Sequence, residues 1–266
     1  MRLRPSSLHA FLINDPIEKV STVKTLWASH TQLTPTADES LESFGSQAMP
    51  GRPALPRLID AKKVPSRTPY TSEGLASLLH AVCHIEFNAI NLALDAVWRF
   101  DGMPQAYYND WLRVAYEESQ HFALLHTHLQ SLGYSYGDFD AHDGLWQMCE
   151  RTAQDVLARM ALVPRTLEAR GLDATPLIQA KLLKVGTPAA KRAVEILDII
   201  LRDEVGHVAI GNHWYRWLCQ ERELDPVALY PQLVLQYDAP KHKPPFNTEA
   251  RRRAGFSEVE LNYLLG

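Results

Sequence analysis

Two short motifs, Glu118-x-x-His121 and Glu204-x-x-His207, set a carboxylate and an imidazole three residues apart. On a helix that spacing is one turn, so both side chains of a motif share a face and can reach one metal ion. A further glutamate lies upstream of each: Glu86 precedes the first motif by 32 residues and Glu168 precedes the second by 36. A helix, a turn and a second helix return a chain to the same height over such separations. Carboxylate and imidazole donors suit iron or manganese, whereas thiolate sites favour copper(I) or zinc. One Glu-x-x-His arises often by chance; two of them, each with its own upstream acid, form a specific pattern.

The neighbouring residues say which way these groups point. Apolar residues recur at Leu75, Leu79, Val82, Ile90, Ala93 and Val97, and Glu86 interrupts that seam one turn after Val82. The seam of Trp111, Val114, Leu125 and Leu129 is broken by Glu118 and His121. Ala193, Leu197, Ile200, Gly211 and Trp214 flank Glu204 and His207 in the same manner. A carboxylate in an apolar seam is costly unless it is paired, protonated or bound to a cation. Several inward acids call for a shared positive partner, and a metal centre supplies one. The doubled Glu…Glu-x-x-His arrangement is that of carboxylate-bridged di-iron and di-manganese bundles.

The elements that must carry these residues are long helices. Thr71-Ser72-Glu73-Gly74 opens the first, which the Asp101-Gly102-Met103-Pro104 cluster stops near Phe100. The second runs from about Gln105 to Leu132, with Gly133 closing it. A third is expected from near Asp143 to Ala169, ending at Gly171 and kinked by Pro164, and then a short helix around Leu177–Leu183. Thr187-Pro188 opens the fourth, which continues to about Cys219. Similar lengths and the lack of strand-period segments predict an all-α, four-helix bundle. Outside it, a short helix is expected between about Pro16 and His30. Residues 32–70 hold Pro35, Pro50, Pro53, Pro56, Pro65 and Pro69, and the last 40 residues are Pro-rich as well. The expected division is an N-terminal extension over residues 1–70, a bundle over 71–222 and a C-terminal extension over 223–266, both extensions irregular. Residues 32–70 and 238–256 lack enough periodic apolar sequence for a core of their own. Leu55, Leu58, Tyr70, Tyr237 and Phe246 are expected to hold them against the bundle.

Composition narrows the classes. The chain has 27 Lys+Arg against 31 Asp+Glu, so no basic excess advertises nucleic acid. A hydrophobic content of 46% argues against a disordered chain. No apolar run approaches the roughly 18–20 residues of a membrane span, and no secretory signal follows the basic start. Cys83, Cys149 and Cys219 form no C-x-x-C pair, which excludes a zinc ribbon or rubredoxin-type site and fits a cytoplasmic protein.

The stretch from about Leu75 to Cys219 resembles the ferritin-like superfamily of rubrerythrins, bacterioferritins and di-iron hydroxylases. The flanks refine the resemblance. Pro50-Gly51-Arg52-Pro53, His84-Ile85-Glu86, Leu167-Glu168-Ala169-Arg170-Gly171-Leu172 and Pro245-Phe246-Asn247, with Glu249-Ala250-Arg251 and Ala254-Gly255-Phe256, are similar to a bacterial ferritin-like family catalogued as a domain of unknown function. The superfamily pattern implies Glu86, Glu118, His121, Glu168, Glu204 and His207 as ligands of two iron ions, with manganese or a mixed pair as variants. It implies bridging, catalytic roles for Glu118 and Glu204, and places Glu117 and Asp203 where acids orient the metal-bound imidazoles. Glu150 and Asp155 share the helix of Glu168, and Pro164 blurs its phase.

Other groups read as structural. His84 is expected as a satisfied structural or pocket histidine, His126 and His128 on the bundle side, and His80 near a bundle end. Tyr107, Tyr108, Tyr116, Trp111 and Trp214 could carry electrons, but aromatic stripes are usually core. The cysteines read as small buried hydrophobes. Arg251–Arg253 reads as a solvated run that could receive a phosphate. The functional expectation is an oxidoreductase activating oxygen or peroxide, acting as a hydroxylase on a small molecule or modified nucleoside and fed by an external electron donor. Ferroxidase or storage activity, a rubrerythrin-like peroxidase and a structural metal bundle are the alternatives. No membrane and no nucleic-acid partner beyond such a nucleoside is expected, and the oligomeric state is left open.

Overall fold

The computed structural model describes residues 2–35, 49–241 and 243–265, and these are all-helical, with no strand among them. The helices are α1 (Leu3–Leu12), α2 (Pro16–Ala28), α3 (Ser72–Arg99), α4 (Gln105–Ser131), α5 (Gly144–Arg151) and α6 (Val156–Leu162). A π-helical segment, Val163–Glu168, leads into α7 (Ala169–Val185). Then come α8 (Pro188–Glu221), α9 (Pro226–Gln236), α10 (Thr248–Arg253) and α11 (Glu258–Leu265). No described helix is long and apolar enough to cross a membrane.

The chain divides into two compact units, residues 1–146 with 185–196, and residues 147–184 with 197–266. In the first, α3 and α4 are joined by five residues and pack along one another, with α1 and α2 against them. Side chains cap the helix starts as sequence rules require: Thr71 Oγ1 accepts from Gly74 N at 3.1 Å, and Asp15 Oδ1 from Glu18 N at 2.8 Å. The expected seam residues Leu79, Ile90, Val97, Trp111, Leu125 and Leu129 are buried.

The N-terminal region is more ordered than expected. Besides the anticipated α2, Leu3–Leu12 forms α1 and buries Leu3, Leu8 and Phe11. Phe11 meets the rings of Trp98 and Trp146 at 5.8 and 5.5 Å. Within the Pro-rich arm, residues 36–48 lie outside the described residues. The rest contains no long helix, as its prolines demand. Leu55, Leu58 and Tyr70 do not hold this arm in place; they are exposed. Polar contacts do so instead. Gly51 N donates to Phe11 O, Arg52 N donates to Asn14 Oδ1, and Arg52 pairs with Asp143 at 2.7 Å.

In the second unit the expected third helix is broken. The chain turns at residues 152–155 between α5 and α6, and Asp155 caps α6 by accepting from Leu157 N. Pro164 falls in the π-helical segment rather than making a simple kink. Its missing N–H and its ring prevent a regular turn, and the Thr166 hydroxyl donates to the Ala161 carbonyl at 2.8 Å. Helix α7 passes through Gly171 and absorbs the short helix anticipated at Leu177–Leu183. The C-terminal region forms α9, α10 and α11 instead of an irregular arm, and Ala250, Ala254, Phe256 and Leu261 share a core with Ala169, Leu172 and Val208. Gly211 of α8 admits the π-helical segment: a Cβ there would stand 2.6 Å from Pro164 Cβ and Cγ.

Candidate metal centre

In the first unit α3 supplies Glu86 and α4 supplies Glu118 and His121. All three are buried, at 3%, 0% and 1% exposure. His121 Nδ1 lies 3.0 Å from Glu118 Oε2 and 3.3 Å from Glu86 Oε2. One ligand atom from each falls within 4.8 Å of the others, so this buried group could hold a metal ion. The donor set of two carboxylates and one imidazole fits a hard or borderline divalent cation. Burial first, and the Glu118 charge next, push the Glu86 carboxyl well above its ordinary pKa, while His121 opposes the shift. Two acids so placed cannot both stay ionised without a proton or a cation between them.

The residues that follow Glu86 and His121 in sequence join an aromatic cluster. Phe87 and Phe122 lie 5.7 Å apart, and Tyr136 meets both rings. Burial, with the Glu86 charge second, pushes the Cys83 thiol up, so it stays protonated and is no thiolate ligand. All three cysteines are reduced thiols and buried, as small hydrophobes should be.

In the second unit the π-helical segment supplies Glu168 and α8 supplies Glu204 and His207. Glu168 and Glu204 are each 8% exposed and His207 is fully buried. His207 Nδ1 stands 3.8 Å from Glu204 Oε1, so this imidazole also turns Nδ1 toward its own motif glutamate. Asp203 pairs with Arg202 at 2.8 Å.

The secondary candidates separate clearly. His84 is a satisfied buried histidine: Nδ1 lies 2.8 Å from Tyr136 Oη and Nε2 lies 3.1 Å from His142 O. Asn88 Nδ2 also lies 3.0 Å from Nε2, so both ring nitrogens have polar neighbours. Desolvation lowers the His84 pKa to about 4, which keeps the ring neutral. His80 Nε2 accepts from Gly137 N, His128 meets Ala189 O, and His126 stacks on Phe122. The arginine run is not uniformly solvated. Arg251 is buried on Asp173 at 2.6 Å, Arg252 pairs with exposed Glu258, and Arg253 is exposed.

Sequence reasoning missed a polar stripe on α3. His84, Asn88, Asn91 and Asp95 recur at spacings of four, three and four, and all are buried. Two of them receive the N-terminal region, Asn88 meeting Arg52 and Asn91 meeting Lys19, while Asp95 holds Arg99 of the same helix at 2.7 Å. Lys19 is fully buried and donates also to Phe11 O and Gly51 O. Burial presses its pKa well down, while three acceptors around one nitrogen suit the three protons of an ammonium. The signal was available, because Lys19, Val23 and Leu26 share one face of α2. Arg165 of the second unit was also missed; it is buried beside Asn212 and Glu260 and ringed by Tyr215, Tyr230 and Phe256.

The chain is similar to an "Uncharacterized protein" of Haemophilus influenzae, 53% identical over 219 residues, which cover 80% of this chain and 75% of that one. No solved structure matches it. Residues 12–262 match one family along nearly their whole length. The chain therefore belongs to the family described as Protein of unknown function (DUF455).

Proposed function

We propose that this protein is a di-metal carboxylate oxidoreductase built on a ferritin-like four-helix bundle, activating oxygen or peroxide to oxidise a small molecule. The observation that carries this reading is the buried Glu86, Glu118 and His121 group, whose ligand atoms face one another within 4.8 Å. The second Glu…Glu-x-x-His set supports it by repeating the same donor types, with Glu204 and His207 also buried. In the proposal Glu86, Glu118 and His121 would hold one iron and Glu168, Glu204 and His207 the other, with Glu118 and Glu204 as the carboxylates that would be shared. Manganese, or one ion of each, fits the same donors. When bound, such a pair supplies one-electron redox steps to oxygen or peroxide.

The chain's own residues have definite tasks in this scheme. A cation held there would displace the proton that the raised Glu86 carboxyl keeps, so metal affinity should rise with pH. The burial of Glu86, Glu118 and His121 limits water around the first set. The Tyr136–His84–His142 chain of hydrogen bonds fixes the start of the loop before α5 against α3. An external reductant is required, because the chain carries no C-x-x-C electron-transfer site of its own.

Anaerobic loading of the full chain with iron(II), followed by oxygen, tests the reading. Oxygen use that continues only with added reductant, at no more than two metals per chain, is the expected result. Mineral accumulating to many irons per chain would instead establish iron storage. Failure of the folded protein to take up iron or manganese would remove the proposal's foundation.

A further inference from the structure

The end of α10 explains why three successive arginines have three fates. Gly255 has φ of +89°, its N–H donates to Arg252 O, and Phe256 N–H donates to Arg251 O. This paired closure is a Schellman cap, and the left-handed residue it needs is supplied by glycine. The cap turns Phe256 inward over Arg251, at 5.3 Å, and leaves Arg253 on the opposite side. There Arg253 and Gly255 border a cleft of about 300 Å³ whose other wall is α8, with His213, Arg216, Trp217 and Gln220. That volume lies at the lower end of the roughly 300–1,000 Å³ of small-molecule sites. The whole cleft belongs to the second unit.

Its chemistry is cationic and aromatic. No carboxylate lines it. Arg216 is held from behind: its Nη2 donates to Gly255 O at 2.6 Å and to Glu260 Oε2 at 2.8 Å. Glu260 is shared with buried Arg165 at 2.7 Å, so those three side chains sum to one positive charge. Nη1 of Arg216 has no hydrogen-bond partner among the described residues, and Arg253 has no ion-pair partner among them. His213 is exposed, while Trp217 is half-buried and braced edge-on by Trp214 at 5.5 Å. A fixed guanidinium with a spare donor, a second unpaired guanidinium, an imidazole and a braced indole suit a planar ring that carries a phosphate.

We propose that this cleft binds a mononucleotide, with Trp217 stacking on the base and Arg216, Arg253 and His213 receiving the 5′-phosphate. The inference stands apart from the metal reading, since no metal ligand lines the cleft. Preorganisation of Arg216 by Gly255 and Glu260 means that little side-chain freedom is lost on binding.

Calorimetric titration of the full chain with adenosine 5′-monophosphate tests it, with adenosine and inorganic phosphate as separate arms. The expected result is saturable binding below about 1 mM, with each fragment at least about tenfold weaker. Arg253→Gln and Trp217→Leu should each weaken binding at least about tenfold, while Arg252→Gln, whose guanidinium is held by Glu258, should change nothing. Thermal melts of the variants confirm that both remain folded. Absence of binding, or binding that survives both cleft substitutions, overturns the proposal. Single-stranded RNA bound without competition from the mononucleotide overturns it in favour of a macromolecular ligand.

Discussion

The two acid–imidazole sets stand on unlike backbones. Glu86, Glu118 and His121 come from uninterrupted α-helix, and His121 Nδ1 sits 3.0 and 3.3 Å from the two carboxylates. Glu168 comes from a π-helical segment forced by Pro164, and His207 Nδ1 stands 3.8 Å from Glu204. Both Glu-x-x-His pairs stand on regular helix, the first the tighter at 3.0 against 3.8 Å, so the backbones differ only in how the upstream glutamate, Glu86 or Glu168, is presented. Regular helices transmit sequence spacing into geometry directly. A π-helical turn adds a residue, rotates the downstream turns of the helix, and makes position depend on the element packed against it. Here that neighbour is Gly211, which lets Pro164 approach α8.

The largest expected effect removes the proposed bridges. Glu118→Ala and Glu204→Ala should each lower metal content from two ions per chain to fewer than one, measured by elemental analysis after anaerobic loading. The metal-free Glu118→Ala protein should remain folded, because one fewer buried acid must be accommodated. The upstream glutamates sharpen the comparison. Glu86→Ala should weaken metal binding about 100-fold and Glu168→Ala about tenfold, since Glu86 is fixed by regular helix whereas Glu168 is carried by a π-helical segment. Equal losses would erase the distinction between the sets.

Two opposite pH responses belong to the tight set and its neighbour. Glu86 has a raised native pKa, so in metal-free protein its contribution is full below the ordinary value of about 4.3 and is lost as pH rises through the native one. Glu86→Gln should abolish that loss, read as urea midpoints across the pH range. His84 has its pKa lowered from 6.5 to about 4, so its contribution is full above 6.5 and disappears as pH falls to 4. That change is worth up to about 3 kcal/mol and should survive in the Glu86→Gln protein. The smallest effect belongs to the looser set. Gly211→Ala should cost about 1–3 kcal/mol by crowding Pro164, and should weaken metal binding through Glu168 while leaving Glu86 untouched. A neutral Gly211→Ala would show that the π-helical segment relaxes freely.

Long, regular elements were legible. The bounds of α3, α4 and α8 come from caps, glycines and prolines, and the polar interruptions at Glu86, Glu118, His121, Glu204 and His207 are buried as their seams required. The features that escaped were irregular or depended on distant partners. Helix α1 has little amphipathic pattern because Arg4 and Ser7 are buried with its apolar residues; Arg4 donates to the Trp98 carbonyl at 3.1 Å. The C-terminal helices looked irregular because prolines separate short elements, whereas Asp225 and Asn247 cap α9 and α10 in the ordinary way. Arg251 looked solvated because nothing near it in sequence announces Asp173, 78 residues away. Lys19 and the α3 stripe escaped because no acid–imidazole motif marks them, although the same rule of charge at an apolar position singles out Lys19.

Anaerobic iron(II) titration of the full-length chain, with bound metal counted in the wild type and in Glu118→Ala, His121→Ala and Glu204→Ala, tests the central claim most directly. The account predicts two ions per chain in the wild type and a loss in every variant. Two ions retained by the His121→Ala protein, or none bound by the folded wild type, would contradict it.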